Sequence, residues 1–371
     1  MKLTLIAGAR PNFMKTAPLI DSIKEAIISG KKIEYRLVHT GQHYDQNMSQ
    51  SFFEELGIPT PDINLESGSG SQAEQTANIM VKFEKELLQN PADLVLVVGD
   101  VTSTLACSVV AKKLCTPVAH VEAGIRSGDM TMPEEINRIV TDSISDLFFT
   151  TSKSASENLL LHGISEAKVH FVGNTMVDTL LKNIPRFVRP AFYDNWGLNK
   201  GGYFVVTLHR PANVDNQQQL RTMVEAILRS ADGYPVIFPV HPRTAKSLES
   251  LNLNKNNFYL TPPLSYLQFN YLVKYAIGVI TDSGGITEET TVMNIPCITL
   301  RNSTERPETV TIGTNELIGT NPSALAPYME KILSGNWKKG AIPELWDGKS
   351  ATRIINTIIS LHEFSLQNAK N

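Results

Sequence analysis

The sequence is poor in the features that mark several protein classes. Its 371 residues include three cysteines, Cys107, Cys115 and Cys297, without the paired spacing of a metal site or a disulfide framework. Because they lie in apolar segments, we expect buried free thiols in the reducing cytoplasm. No run reaches the roughly 18 apolar residues of a membrane span. Residues 1–8 are too short for a signal peptide and are predicted to form a first strand.

Charge of one sign is also missing. The chain has 34 Lys and Arg against 37 Asp and Glu, a net charge of −3. This balance gives no electrostatic footprint for nucleic acid or an anionic membrane. The sequence has no H-E-x-x-H pair, no Gly-x-Ser-x-Gly elbow and no G-x-G-x-x-G fingerprint after its first strand. We therefore expect no metal centre, no serine-hydrolase site and no NAD site.

Strand-like and helical patterns alternate along the whole chain. The predicted strands are 2–8, 34–40, 93–99, 117–122, 146–151, 168–172, 203–209, 235–240, 257–261, 276–282 and 296–300. This alternation predicts parallel sheets with right-handed crossovers, and the length predicts two domains. The fold class is therefore α/β with two Rossmann-like, doubly wound domains.

A break in the alternation places the domain boundary. Segment 184–202 is rich in proline and glycine and is the predicted linker. The predicted domains are 1–183 and 184–349, and we expect the C-terminal helix 350–366 to pack back on the first domain. In such sheets ligands bind beyond the carboxyl ends of the strands, so functional residues should follow strands directly.

The most informative segment follows the predicted strand 276–282. It reads Asp282-Ser283-Gly284-Gly285-Ile286-Thr287-Glu288-Glu289. A strand, a glycine turn and a helix N-terminus direct unpaired N–H groups toward an anion, typically a phosphate. Ser283 adds a hydroxyl donor, and Glu289 can accept from a ribose diol. No Lys-Ser/Thr pair follows the glycines, which excludes a P-loop. A strand–helix turn without a ligand is the alternative.

Cations and acids follow other predicted strands. Arg10 and Lys15 bracket the start of the first helix and predict an anion site, with exposed surface residues as the alternative. Asp100, Glu122 and Glu134 occupy neighbouring loops at one sheet edge. Asp100 as a helix N-cap and Glu134 as a helix-dipole partner are the structural alternatives. Three acids together favour proton transfer, because like charges raise one another's pKa.

The second series of strands adds further donors. His209 and His241 follow adjacent strands, and together they favour ligand contact over a structural role. Arg306, with Arg301 nearby, adds charge for a diphosphate. Phe269 is predicted either to cover a base or to be a core aromatic.

These segments together resemble one protein family. The ordered motifs are Gly8-Ala9-Arg10-Pro11, Gly99-Asp100, His120-Val121-Glu122-Ala123-Gly124, Pro133-Glu134-Glu135-Ile136-Asn137-Arg138, His209-Arg210, Asp282 to Glu289 and Thr304-Glu305-Arg306-Pro307-Glu308. They resemble the non-hydrolysing UDP-N-acetylglucosamine 2-epimerases of bacteria over nearly the whole chain. The resemblance implies a glycosyltransferase-B fold with domains facing across a cleft, a homodimer, and no metal or nicotinamide cofactor. It also implies interconversion of UDP-N-acetylglucosamine and UDP-N-acetylmannosamine by elimination to 2-acetamidoglucal and re-addition of UDP.

The resemblance also assigns roles to residues. It implies that Asp100, Glu122 and Glu134 are the acid/base candidates and that Glu289 holds the ribose. The groups expected to hold the diphosphate are Arg10, Lys15, His209, Ser283, Gly284, Gly285 and Arg306. His209 is also counted among the catalytic candidates, and His241 and Phe269 among the substrate-binding ones.

Three departures from the family pattern leave alternatives open. Position 12 is Asn where a carboxylate is frequent, Pro211-Ala212 replaces a common Arg-Glu, and Tyr44 follows Gln42-His43 in place of Arg. The last two regions line an activator site in regulated members, so we expect activation by UDP-N-acetylglucosamine to be weakened or absent. The alternatives are epimerisation of UDP-2,3-diacetamido-2,3-dideoxyglucuronate, with Arg126 or Arg138 facing its carboxylate, a glycosyltransferase, and a non-catalytic nucleotide-sugar sensor.

Overall fold

The computed structural model describes residues 1–8, 10–41, 53–240, 248 and 256–368. The chain divides into two compact units. The first unit comprises Met1–Lys182 and Glu344–Asn371, and the second comprises Asn183–Pro343.

A parallel sheet forms the centre of the first unit. Its described strands are β1 Lys2–Ala7, β2 Glu34–His39, β3 Ile63–Asn64, β4 Leu94–Val98, β5 Val118–Val121, β6 Leu147–Thr150 and β7 Val169–Phe171. Their order across the sheet is β3-β2-β1-β4-β5-β6-β7. The helices between them are α1 Arg10–Ile28, α2 Gln72–Gln89, α3 Thr102–Lys113, α4 Pro133–Ile144, α5 Lys153–Leu161 and α6 Thr175–Asn183.

A second parallel sheet forms the centre of the second unit. Its described strands are β8 Phe204–Thr207, β9 Val236–Pro239, β10 Phe258–Thr261, β11 Gly278–Thr281, β12 Cys297–Thr299 and β13 Asn315–Leu317, in the order β10-β9-β8-β11-β12-β13. The helices are α7 Phe192–Asn195, α8 Pro211–Val214, α9 Gln217–Ser230, α10 Tyr266–Tyr275, α11 Gly284–Met293, α12 Pro307–Thr311 and α13 Leu325–Leu333. Both sheets have the doubly wound order, which confirms the predicted fold class.

The strands are apolar on both faces because helices cover both faces of each sheet. All five residues of β4 are buried. In the second sheet, Phe204 and Val206 belong to one core cluster, and Val205 and Val279 belong to a cluster on the opposite face. The period-two alternation of strand side chains produces this division.

The C-terminal segment belongs to the first unit. Helix α14, Ser350–Asn368, begins where the Asp178 carboxylate accepts hydrogen bonds from the N–H groups of Ser350 (3.1 Å) and Ala351 (2.7 Å). Trp346 is 2% exposed and donates to the carbonyl of Thr151. Residues 344–349 therefore lie in the first unit, and their predicted place in the second domain is wrong.

Two smaller expectations also need correction. The predicted linker 184–202 contributes Tyr193, which is 3% exposed, to the core of the second unit. Cys107 and Cys297 are buried free thiols as predicted, but Cys115 is exposed because it follows the end of α3 in a turn. Within the described residues, no helix is long and apolar enough to cross a membrane.

Candidate active site

The sheet order defines one topological switch point in each unit. Strand β1 pairs with β2 on one side and β4 on the other, and β8 pairs likewise with β9 and β11. A crevice opens at the carboxyl ends of such strands, and ligands bind there in doubly wound folds. The predicted residues Asp100, Glu122 and His209 follow β4, β5 and β8 closely, as expected.

Asp100 is held by a buried arginine. Its Oδ2 accepts from Nε of Arg138 at 3.0 Å and from Nη2 at 2.6 Å, while Nη1 of the same guanidinium donates to Glu135 at 2.6 Å. The N-cap position of α3 is Val101, without a side-chain cap. The alternative of Asp100 as an N-cap is therefore wrong. The carboxylate is instead fixed by two charge-assisted hydrogen bonds.

The two adjacent glutamates at the start of α4 differ in their surroundings. Glu135 accepts from the N–H groups of Ser127 and Gly128 at 2.9 and 3.0 Å. Burial alone would raise the pKa of Glu135, but these hydrogen bonds and Arg138 hold it below its ordinary value. Glu134 is half-buried, and its side chain has no hydrogen bond or ion pair with another described residue. Glu135 is structural, which leaves Glu134 as the glutamate available to a ligand.

Glu122 lies in a strained, buried position at the end of β5. Its φ is +69°, a left-handed conformation that is uncommon for a non-glycine residue and clusters at functional sites. Its Oε2 accepts from Nζ of Lys15 at 2.6 Å. A Cβ on Gly99 would lie 3.2 Å from that Nζ, so a glycine at the end of β4 leaves room for the pair. Lys15, predicted as an anion ligand, is thus paired with Glu122 in this structure.

Asn12 explains one departure from the family pattern. Its Nδ2 donates to the carbonyl of Val98 at 2.8 Å, and its Oδ1 accepts from the N–H of Gly8 at 3.4 Å. The side chain therefore joins the ends of β1 and β4. A carboxylate could not donate the first of these bonds.

A buried histidine joins the loops after β4 and β5. The ring nitrogens of His120 lie 2.7 Å from Asp142 and 2.8 Å from the carbonyl oxygen of Gly99. Asp142 also accepts from the N–H of Gly124 and from Arg126. Burial opposes ionisation of Asp142, but His120 and Arg126 together hold its pKa below the ordinary value. This network fixes the backbone that carries Asp100 and Glu122.

In the second unit, a buried aspartate occupies the switch point. The Asp282 side chain is fully buried, and its Oδ1 lies 2.7 Å from Nδ1 of His209. Its Oδ2 accepts from the N–H of Arg210 at 2.9 Å and from Nδ2 of Asn213 at 3.0 Å. Burial opposes ionisation, but His209, Asn213 and Arg210 hold the pKa of Asp282 below its ordinary value. The His209 side chain is 62% exposed.

The predicted strand, turn and helix N-terminus is present. Strand β11 ends at Thr281, Ser283 is the N-cap of α11, and the helix begins at Gly284. Neither Gly284 nor Gly285 has a positive φ. A Cβ on Gly284 would meet only Nη1 of Arg301 and Oε2 of Glu305, each at 3.9 Å. Neither backbone conformation nor packing therefore requires glycine at 284, and the position leaves space for a ligand beside a guanidinium.

Two further charged groups lie along this part of the second unit. Arg306 is 9% exposed, and its Nε donates to Glu288. Glu289 lies in the second turn of α11 and accepts from Nδ2 of Asn270 at 3.2 Å. Burial raises the pKa of Glu289 to about 7, against hydrogen bonds from Tyr266 and Asn270 that lower it.

The remaining predictions have mixed outcomes. Phe269 is half-buried and packs against the core cluster of the second unit, as its core alternative predicted. His241, the segment 42–45 and the side chain of Arg10 lie outside the described residues. Among the described residues, no group of three His, Cys, Asp or Glu side chains could hold a metal ion.

Sequence reasoning missed the partners that orient these groups. They are Arg138, Glu135, His120, Asp142 and the Asp282 carboxylate. A signal existed for some of them, since His120 is a polar residue inside an apolar strand and Asp282 follows a buried one. The pairing itself needs the fold, because the partners come from different loops.

Comparisons with known proteins identify related chains. A sequence model described as UDP-N-acetylglucosamine 2-epimerase matches residues 25–359. A protein of that name from Methanocaldococcus jannaschii is 42% identical, with 96% of this chain and 99% of the relative covered. Its crystal structure in complex with UDP-GlcNAc and UDP matches with a TM-score of 0.85 over the same shares of the two chains. A UDP-2,3-diacetamido-2,3-dideoxy-D-glucuronate 2-epimerase from Pseudomonas aeruginosa is 41% identical over 86% of this chain and 88% of its own length.

Proposed function

Because the chain belongs to the UDP-N-acetylglucosamine 2-epimerase family, we propose that it interconverts UDP-N-acetylglucosamine and UDP-N-acetylmannosamine. The observation that carries this proposal is that one chain holds two kinds of switch-point site. The first unit presents oriented carboxylates, Asp100 and Glu122. The second presents a helix N-terminus with a glycine at 284 that the protein's own packing does not require. The first suits proton transfer and the second suits a diphosphate.

The chemistry requires both kinds of group, because the C2 hydrogen has no neighbouring carbonyl to make it acidic. In the first step a carboxylate takes the C2 proton, a C1–C2 double bond forms, and the C1–O electron pair leaves with UDP. In the second step the UDP oxygen attacks C1 and an acid delivers a proton to the opposite face of C2. The net change is inversion at C2, with no oxidant and no external acceptor.

The proposed roles follow the structure of each unit. Asp100, Glu122 and Glu134 are the acid/base groups in the first unit. In the second unit, the N-terminus of α11 and Arg306 bind the diphosphate, where N–H dipoles and a guanidinium offset the charge of the leaving group. Glu289 accepts from the ribose, and His209 offers Nε2 to the diphosphate. Lys15 neutralises Glu122 and becomes available to an anion when that carboxylate gains a proton.

The deciding experiment is incubation of the purified protein with UDP-N-acetylglucosamine in D2O, followed by proton NMR. We expect deuterium at C2 and appearance of the manno epimer without added metal or nicotinamide. The matched controls are Asp100→Asn and Glu122→Gln, which keep side-chain shape and remove the base. Release of UDP without exchange at C2 indicates a glycosyltransferase. If saturating nucleotide sugar gives no exchange at C2 and no release of UDP, the proposal that the protein is an enzyme is contradicted.

The 2,3-diacetamido glucuronate substrate is the second candidate, since the Pseudomonas aeruginosa relative is named for it. That substrate carries a C6 carboxylate and needs a cation for it. Both arginines considered for this role are already engaged, Arg126 with Asp142 and Arg138 with Asp100 and Glu135. We therefore favour the uncharged sugar. Comparison of kcat/KM for the two nucleotide sugars separates these candidates.

Two properties of the protein as a whole complete the proposal. From the family resemblance we infer a homodimer that acts in the cytoplasm. Light scattering on the purified protein tests the first inference, and fractionation of the producing cells tests the second.

A further inference from the structure

Asp282 binds four donors from three residues, although none of the proposed chemical steps uses it. Oδ2 accepts from the N–H groups of His209 (3.0 Å) and Arg210 (2.9 Å) and from Nδ2 of Asn213 (3.0 Å). Oδ1 faces Nδ1 of the His209 ring at 2.7 Å. The Asp282 side chain is fully buried, while the His209 side chain is 62% exposed.

We propose that Asp282 is a positioning residue that fixes the tautomer and orientation of His209, so that Nε2 is the atom presented to the nucleotide. The inference rests on the proposed function, which gives His209 its contact with the diphosphate. A 62% exposed imidazole has little packing to fix its rotamer, and here the 2.7 Å contact with a buried carboxylate supplies the restraint.

The tautomer follows from the donor and acceptor inventory. An ionised carboxylate can only accept, so Nδ1 must carry the proton that it donates to Asp282. Nε2 is then bare in the neutral ring and protonated only in the imidazolium. The Asp282 carboxylate stabilises that imidazolium when a diphosphate faces Nε2, as the buried aspartate does in a Ser-His-Asp triad.

The asparagine variant should reverse this arrangement. Three donors crowd Oδ2, so the amide oxygen of Asp282→Asn will occupy that place and its nitrogen will face the ring. An amide nitrogen donates, so Nδ1 must then accept, and the proton moves to Nε2. Other charged groups here are Arg210, whose Nε donates to the carbonyl of Asp282, and Glu305, whose Oε1 lies 3.6 Å from Nη2 of Arg210. Both remain in the variant.

The first test is spectroscopic and needs no activity. Long-range 1H–15N spectra of 15N-histidine-labelled protein, measured where the ring is neutral, report which nitrogen carries the proton; His209→Gln assigns the signal. We expect the Nδ1–H form in the wild-type protein and the Nε2–H form in Asp282→Asn. An Nε2–H ring in the wild type, or the same tautomer in both proteins, overturns the proposal even if the chain proves to have another activity.

The second test separates positioning from folding by kinetics. We expect Asp282→Asn to lower kcat about 100-fold with a much smaller change in KM, because the leaving diphosphate loses the imidazolium that the Asp282 carboxylate stabilises, and loss of one such electrostatic contact has about this effect. In a His209→Gln background the same change should alter kcat less than 3-fold. Thr207→Val is the matched control, since it removes the 2.6 Å hydroxyl contact with Thr281 between the same strand ends and should leave kcat within 3-fold. Equal losses in both backgrounds, or an equal loss in the control, contradict a role through His209.

Discussion

The first unit holds two of its three candidate carboxylates, Asp100 and Glu122, with cations, whereas the second unit holds His209 and Arg306 with carboxylates. Arg138 fixes Asp100 and Lys15 fixes Glu122 in the first. Asp282 fixes His209, and Glu288 fixes Arg306, in the second. The strand order around the switch point is the same in the two sheets. The same strand order therefore carries candidate carboxylates in one unit and candidate cations in the other. The charge of the partner that holds them distinguishes the two sites.

The working group is the more exposed member in three of these four pairs, and the exception is the pair of Lys15, at 12%, with Glu122, at 2%. The Asp100 side chain is 29% exposed and its partner Arg138 is 5% exposed. In the second unit the exposed member is the potential cation, His209, at 62%, and the buried member is the carboxylate of Asp282. A buried ion pair costs desolvation energy that its attraction only partly offsets, so it contributes little net stability. We infer that such pairs are retained because they orient the exposed member.

The largest expected effect falls on the acids of the first unit. Asp100→Asn, Glu122→Gln and Glu134→Gln should each lower turnover at least ~100-fold, since each removes a group to which we assign proton transfer. The affinity of Asp100→Asn and Glu134→Gln for UDP, measured by calorimetry, should stay within a few-fold, because the proposal places the diphosphate site in the second unit. Glu288→Gln is the matched change in the second unit, and it should weaken UDP binding more than it lowers kcat. The reverse pattern would break the division of labour between the units.

The next effect is a pH dependence of opposite sign in the two units. Glu289 has a pKa of about 7 against an ordinary 4.5, so its folded state keeps a proton that the unfolded state releases. Unfolding free energy therefore falls as pH rises through that window, by roughly 3 kcal/mol. The side chain of the Glu289→Gln variant does not titrate. In urea unfolding, the free energy of unfolding of this variant relative to that of the wild type should therefore rise by that amount between pH 4.5 and 8.

Glu135 supplies the contrast in the first unit. Its folded pKa is lowered, so its stabilising contribution is present above the unfolded pKa and is lost as pH falls. The deficit of Glu135→Gln should thus be largest near pH 7 and shrink in acid. If the two glutamine variants showed parallel trends of stability with pH, burial and hydrogen-bond partners would not shift the pKa values of Glu289 and Glu135 in opposite directions.

The sequence predicted most of the strands and which candidate groups follow them, and it missed what depends on tertiary contact. All eleven predicted strands are present, because buried parallel strands leave long apolar runs. Among the described residues it missed two strands, Ile63–Asn64 and Asn315–Leu317, which lie at sheet edges and are too short for a periodic signal. The capping box formed by Ser71 and Glu74 at the start of α2, by contrast, is a local pattern in the sequence.

The candidate site shows the same limit. Asp100, Glu122 and His209 were found because each follows a strand, which is a local property. Arg138 as the partner of Asp100, 38 positions away, depends on how α4 crosses the sheet edge. Asp100 binds this guanidinium and does not cap a helix, and the local sequence around Asp100 gives no sign of it.

A smaller effect tests a difference between the units, because the C-terminal helix α14 belongs to the first unit only. Asp178→Ala removes the acceptor for two N–H groups at the start of α14 and should cost about 1–2 kcal/mol of unfolding free energy. Asn216→Ala removes the N-cap of α9 in the second unit and is the matched control, at about 1 kcal/mol. Limited proteolysis should release the C-terminal segment faster in Asp178→Ala alone. Equal release from both variants would mean that Asp178 does not anchor this segment.

The smallest expected effect concerns an ion pair that is exposed. Arg221 and Glu225 are one helical turn apart on α9, with Nε 2.9 Å from Oε1 and side chains 47% and 40% exposed. Water screens such a pair, so Arg221→Met should change the unfolding free energy by no more than about 0.5 kcal/mol and leave kcat and UDP affinity unchanged. A double-mutant cycle with Glu225→Gln, measured by urea denaturation, isolates the pair. A coupling above about 1 kcal/mol would show that exposed pairs matter as much as buried ones, and burial would then no longer distinguish orienting pairs from solvated ones.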